Sequence, residues 1–424
     1  MLEALREELA ALSRAEPPLL VAGGATLLED KLLLERTETL GAALAWARIT
    51  PRLLAGEGAL TCLPRGCLPS AGEGVEPNEA GEVLLESFEG AERPEPPGTE
   101  GGIQAFLPLE GRAFEAEEAG EPLDPVALRV LRRLVALDRV RGVVLLPGGF
   151  ELVELFADLL RLEPSPSQRV VLFERRYFGH LLGAVEASMV EGRGFVPASS
   201  LTCFERCEDP ELVIKAILGV RQGLSYPVDL PRIAARLTQE LPFLRRRLAT
   251  QPGRPVALLG ACALSPHEPA LAAARAILKA LAARETPLRV AAGGSLAELA
   301  LEAYADSPGL VTVLLPEGAS SLGYSCSDPL AQRALLLEGA LGVLALPGDL
   351  HTVAQVCAAL SRPEPLRCVL VGSEAWSPWI RAFQRTLRGR TRRAVTKTFL
   401  REHLLLDAKA PEALAAWEPA VSGA

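Results

Sequence analysis

Aromatic side chains are scarce in this 424-residue chain: they make up 5% of it, while hydrophobic residues make up 49%. The core must then be filled mainly by Leu, Ala and Val, which suits helices packed on a parallel sheet. Nowhere do about 18 uncharged apolar residues run together, so no membrane span is expected. Histidine is rare, and His180, His267, His351 and His403 are too scattered to form a ligand set. No basic stripe with interleaved aromatics stands out, so nucleic acid is not an expected partner. Walker loops, dinucleotide fingerprints and a Ser-His-Asp order are also missing, which leaves the commonest nucleotide and hydrolase classes without support. The opening "MLEALREELAALSRAEPP" lacks the pattern of a secretory signal and reads instead as an amphipathic helix over 1–17. The chain therefore reads as cytoplasmic, with its eight cysteines as reduced thiols.

Two cysteine pairs stand close in sequence, Cys62 with Cys67 and Cys203 with Cys207. Neither has the spacing of a zinc knuckle, and Cys203 and Cys207 are expected on one face of a strand, so all four read as small buried hydrophobes and no metal is expected. Charge is unevenly spread. Residues 71–100 hold nine glutamates and one arginine, a balance of −8 within a net charge of −9. This Pro/Gly-rich run has too little apolar material to bury, and 70–102 is expected to be loosely packed.

The chain repeats itself. "GVVLLPGGFELVELFADLL" from Gly142 matches "GVLALPGDLHTVAQVCAAL" from Gly342, an offset of 200. Further matches, "RVVLFERRYFGHLL" with "RCVLVGSEAWSPWI" and "LLVAGGA" with "ALLGACA", keep the same order, as a duplicated domain would. The first copy is assigned to 18–225, with an acidic insert at about 66–104, and the second to 254–424. Between them, 226–253 reads as a connecting helix interrupted by Pro242. Short apolar strands alternate with helical segments in each copy, which predicts two tandem Rossmann-like, doubly wound parallel sheets. Both Pro-Gly turns should then lie at the strand C-termini, where such sheets bind ligands.

Each copy resembles the LOG (Lonely Guy) family of Rossmann-like nucleoside 5′-monophosphate phosphoribohydrolases, often labelled "possible lysine decarboxylase". The family signature is a strand ending in Pro-Gly-Gly-x-Gly-Thr-x-x-Glu, with an Arg-Lys pair upstream. The resemblance implies a dimer-like arrangement, satisfied here within one chain as a pseudo-dimer, a nucleoside monophosphate-like ligand, and no cofactor or metal. The first copy keeps Pro147, Gly148 and Gly149 and has Arg132 and Arg133 at the upstream pair, but Glu151, Leu152 and Leu155 replace the later glycine, the threonine and the catalytic glutamate. The second keeps Pro347, Gly348 and Thr352, while Asp349 and His351 replace glycines, Gln355 the glutamate and Gln332 the arginine. Gly23 and Gly24 end the first strand, and Gly293 and Gly294, with Glu298 nearby, are a remnant of a second family glycine motif.

These letters set the candidate site: Gly148, Gly149, Arg132, Gly23, Gly24, Gly293, Gly294 and Thr352 for ligand, with Arg132 and Glu154 as candidate catalytic groups. Glu151, Glu154 and Asp158 fall at helical spacing opposite apolar positions and read as a solvated face, while Glu154 could substitute for the missing glutamate one position away. Glu151 and Asp349 place carboxylates on helix N-termini that would otherwise receive phosphate. Neither copy holds a complete family site. Three readings follow: a silent protein that binds a nucleotide-like ligand or a protein partner without turnover, a working phosphoribohydrolase using the first copy, and an assembly protein with vestigial clefts.

Overall fold

A computed structural model of the chain describes residues 19–23, 31–47, 49, 51–54, 63, 104–106, 126–127, 130, 137, 140–161, 170–218, 230–250, 253–261, 264–265, 267–291, 294–315, 324–325, 328–387 and 396–418. The expected helix over 1–17 and the expected loose run over 70–102 lie outside them.

Two parallel sheets form the frame. The first holds β1 (Leu19–Ala22), β2 (Pro51–Leu54), β3 (Gln104–Phe106), β4 (Gly142–Leu145), β5 (Val170–Phe173) and β6 (Phe204–Cys207), in the order β3-β2-β1-β4-β5-β6. The second holds β7 (Val256–Leu259), β8 (Leu288–Val290), β9 (Val311–Leu315), β10 (Tyr324–Ser325), β11 (Gly342–Ala345), β12 (Arg367–Leu370) and β13 (Leu404–Leu406). Its order, β10-β9-β8-β7-β11-β12-β13, repeats the first with one short strand added at an edge. The register repeats as well: Leu19 pairs with Gly142 as Val256 pairs with Gly342. Strands β1, β4 and β5 are buried along their whole length, as strands covered on both faces by helices must be. Rossmann-like α/β architecture in two copies is therefore what the chain forms.

The helices used below are α1 (Lys31–Trp46), α2 (Phe150–Arg161), α3 (Arg175–Val185), α4 (Pro210–Leu218), α5 (Leu230–Ala249), α6 (Pro269–Ala282), α7 (Ser295–Ala303), α8 (Pro329–Leu337), α9 (Leu350–Ser361), α10 (Ser373–Thr386), α11 (Lys397–His403) and α12 (Ala410–Trp417). The copies meet through equivalent elements: α2 packs on α9, and α3 packs on α10. Leu155, Phe156, Val356 and Cys357 are all buried in one core that continues from the first copy into the second. This pairing of like with like is the intrachain pseudo-dimer expected of a duplicated chain.

The connecting segment forms one helix, α5, which runs unbroken through Pro242. Proline removes one backbone hydrogen bond, but Leu237, Leu241, Leu244 and Leu248 are buried along one face, and that packing outweighs the loss. Cys203 is not on the strand with Cys207, because a 3-10 turn over Ala198–Cys203 ends there and β6 begins at Phe204. Both are nonetheless buried as thiols outside any disulfide. The β11/β12 pair of the second sheet is held by Trp417, whose indole N–H donates to the Arg367 carbonyl at 3.1 Å and whose ring lies over Gly342. Among the described residues no helix is long and apolar enough to cross a membrane.

Candidate functional site

In each sheet the connections diverge on either side of one strand pair, β1/β4 in the first copy and β7/β11 in the second. A crevice opens beyond the C-termini of such a pair. The Pro-Gly turns follow β4 and β11, so the motif stands at the expected place in both copies.

In the first copy the Leu146 N–H donates to the Ala22 carbonyl at 2.8 Å and ties the two strand ends together. Gly23, at φ 104, turns the chain away from β1 in a left-handed conformation natural to glycine. A Cβ there would collide with the Leu146 carbonyl oxygen and stand 3.0 Å from Leu152 Cδ1. Leu152 is therefore buried against Gly23. The Gly148 carbonyl accepts from the Tyr177 hydroxyl at 2.8 Å, fixing the turn from α3. Gly149 precedes α2 and offers no side chain to cap it, and its carbonyl accepts from the Leu152 and Val153 N–H groups. The structure thus brings Gly23, Gly148 and Gly149 together; Gly24 and Arg132 lie outside the described residues.

The second copy has the same frame with a different filling. Leu346 N–H donates to Leu259, and Ala261 N–H donates to the Pro347 carbonyl at 3.1 Å, with Gly260 at the position of Gly23. Asp349 caps α9, its Oδ1 accepting from the N–H groups of His351 at 3.0 Å and Thr352 at 3.2 Å. Those donors at the positive end of a helix are the ones an anion would use. Thr352 is buried beneath Gly348, where even a Cβ would strike its hydroxyl. Gln332 is also buried, and its amide donates to the Ala291 and Leu314 carbonyls at 2.9 and 2.6 Å. It pins the ends of neighbouring strands β8 and β9 instead of facing a ligand. Gly294, at φ 62, precedes α7, and Glu298 is exposed one turn on; Gly293 lies outside the described residues.

No family model matches the chain, and no curated protein matches it.

Leu155 is 4% exposed and Gln355 is 1% exposed, and both lie on the helices that join the copies. Glu154, one position earlier, binds Arg333 of α8 in the other copy. The same guanidinium reaches Asp158 through two bonds, at 2.8 and 3.2 Å. Burial disfavours the charge on Arg333, but the two carboxylates more than offset it and raise its pKa. The expected solvated stripe is thus corrected: Glu151 is exposed, whereas Glu154 and Asp158 turn into the seam because a cation from the second copy meets them there.

Sequence reasoning missed Arg333 as a functional position, although Arg333 and Arg133 occupy equivalent places under the 200-residue offset. It also missed Tyr177, whose role depends on a turn 29 residues away. A second link between copies joins Arg193, in the turn after the π-helix Glu186–Val190, to Glu268 before α6, through bonds of 3.1 and 2.9 Å. Among the described residues no group of three or more His, Cys, Asp and Glu side chains is placed to hold a metal ion.

Proposed function

We propose that the chain is a catalytically silent LOG-like pair that binds a nucleotide-like ligand through the first copy's Pro147–Gly149 turn without turning it over. The observation that carries this is the placement of Leu155 and Gln355. N-glycosidic cleavage needs a carboxylate to activate water or steady a cationic ribosyl centre, and a positioned acid-base group is typically worth 10²–10⁴-fold. A buried leucine and a buried amide supply no such group. Glu154 is already committed to Arg333, which argues against the shifted-glutamate enzyme. Ligand is assigned to the first copy because Gly149 has no side chain at the place where Asp349 caps the equivalent helix in the second. Cytoplasmic localisation belongs to the same proposal.

A second reading has its own support. Leu152 packed against Gly23 occupies part of the first crevice, which favours an assembly protein with vestigial clefts. A panel of nucleoside 5′-monophosphates, assayed for binding by calorimetry and for base release by chromatography, separates the cases. Binding without release, lost on Gly149→Asp, is expected. Release of free base that disappears in Glu154→Gln would establish the enzyme instead, and no binding to any member would leave the assembly protein.

A further inference from the structure

We propose that the acidic run 71–100 of this chain docks on a basic surface formed across the two copies at the α3–α10 seam. The basic surface rests on described residues. Arg176 and His180 are one turn apart on α3, and Arg381 and Arg385 are one turn apart on α10. The two helices pack together, and His180 lies within electrostatic reach of both Arg385 and Arg176. Arg175, Arg176, Arg381 and Arg385 are exposed, and none pairs with a carboxylate among the described residues. The seam is polarised apart from Glu174, whose carboxylate is turned back to cap α3, accepting from the Tyr177 N–H at 3.1 Å. Because the end of α10 lies beside the first half of α3, the rest of α10 extends toward the π-helix, against which it also packs. Glu374 near the start of α10 and Glu186 in the π-helix thus fall at the other end.

The sequence continues the theme, since residues 381–401 hold seven arginines and one lysine with no acid. Guanidinium groups pair bidentately with carboxylates, and a run of nine glutamates against one arginine is the matching chemistry carried by this same chain. Reach is ample. Arg175 and Arg176 follow β5, and the acidic run follows β2, so both start from the C-terminal edge of one parallel sheet. Strands β2 and β5 are three steps apart, about 14 Å at the usual strand spacing. Leu63 is buried in the first copy's core, and between it and Gln104 lie 40 residues (104 − 63 − 1), enough to go out and back over roughly 65 Å. The aromatic residues within 381–401 do not offer a stacking platform for single-stranded nucleic acid: Phe383 is buried, and Phe399 is half-buried with its ring 6.2 Å from that of Phe150.

The test uses the full chain and a full-length variant in which the nine glutamates of 71–100 are replaced by glutamine. A labelled synthetic peptide of residues 71–100 is the probe, read by fluorescence anisotropy. The peptide should bind the glutamine variant, at least about tenfold more weakly in 0.5 M than in 0.05 M salt. It should bind the intact chain about tenfold more weakly than the variant, because the tethered segment already occupies the surface. Adding Arg176→Gln, Arg381→Gln and Arg385→Gln to the glutamine variant should abolish binding with the circular dichroism spectrum unchanged; Arg245→Gln, distant on α5, controls for net charge and should change little. Equal binding to intact and glutamine chains, no binding to either, or indifference to the three arginines would overturn the proposal. So would a short DNA duplex that binds the intact chain as tightly as the glutamine variant, since the surface would then be open to phosphate.

Discussion

Arg333→Met should be the most damaging single substitution at the seam, and its cost can be worked from burial. Arg333 has a side chain 3% exposed, and its partners Glu154 and Asp158 are 14% and 10% exposed. Methionine fills much of the same volume without a charge, leaving two carboxylates in a nearly dry site. Removing one partner of a buried ion pair costs about 3–5 kcal/mol, because the remaining charge stays desolvated. With a urea slope of about 3 kcal/mol/M, the midpoint should fall by about 1–1.7 M. Tryptophan fluorescence reports the seam directly, since Trp376 and Trp379 are buried on α10.

The decisive comparison is with Arg333→Met combined with Glu154→Leu and Asp158→Leu. If the ion triad is a desolvated network, replacing all three members restores most of the loss and can exceed the parent, since apolar replacements of buried pairs are often neutral or stabilising. A single Arg333→Met that costs under about 1 kcal/mol would refute the reasoning, because only solvent-screened pairs are that weak.

Two further outcomes are expected. Gly342→Ala should destabilise the second copy by about 1–3 kcal/mol, read as a lower melting temperature, because the new methyl meets the Trp417 ring and stands 2.7 Å from the Arg367 carbonyl oxygen; an unchanged melting temperature would show that Trp417 is free to move. Burial, reinforced by Glu205 and Asp209, pushes the Cys207 thiol up to about 11, so about one molecule in a thousand is thiolate at pH 8. Native protein alkylated at pH 8 and mapped by mass spectrometry should therefore leave Cys207 unmodified, with labelling increasing as pH rises toward that value, and rapid labelling at pH 8 would contradict its burial.

The sequence showed the frame because the frame is written in local patterns. Apolar runs bounded by turns located β4, β5, β7, β11 and β12, and the constant offset between copies located the duplication. Strands β10 and β13 escaped notice for physical reasons: Tyr324–Ser325 is too short to show alternation, and Leu404–Leu406 follows α11 with no turn residue between. The connecting segment was legible as a helix, and the interruption of its apolar spacing at Pro242 is a local signal that four buried leucines override. The site divided in the same way. The Pro-Gly turns and Gly23 fell where strand-end logic puts them, but the partners of Glu154 and Asp158 lie 179 and 175 residues away, beyond any spacing rule.

Fusion of the copies explains why that ion triad is possible at all. In a symmetric homodimer every contact occurs twice, related by the axis, so a charged pair placed near the axis must tolerate its own image. Here Glu154 and Asp158 correspond under the 200-residue offset to Ala354 and Ala358, and the carboxylates appear on one side only. One guanidinium from α8 meets both, with no duplicate set of acids competing for it on α9. The same freedom lets the two turns diverge, Gly149 open in one copy and Asp349 self-capped in the other. A chain that no longer has to be its own mirror can fill equivalent places differently, as Leu155 and Gln355 do on the two helices that meet at the seam.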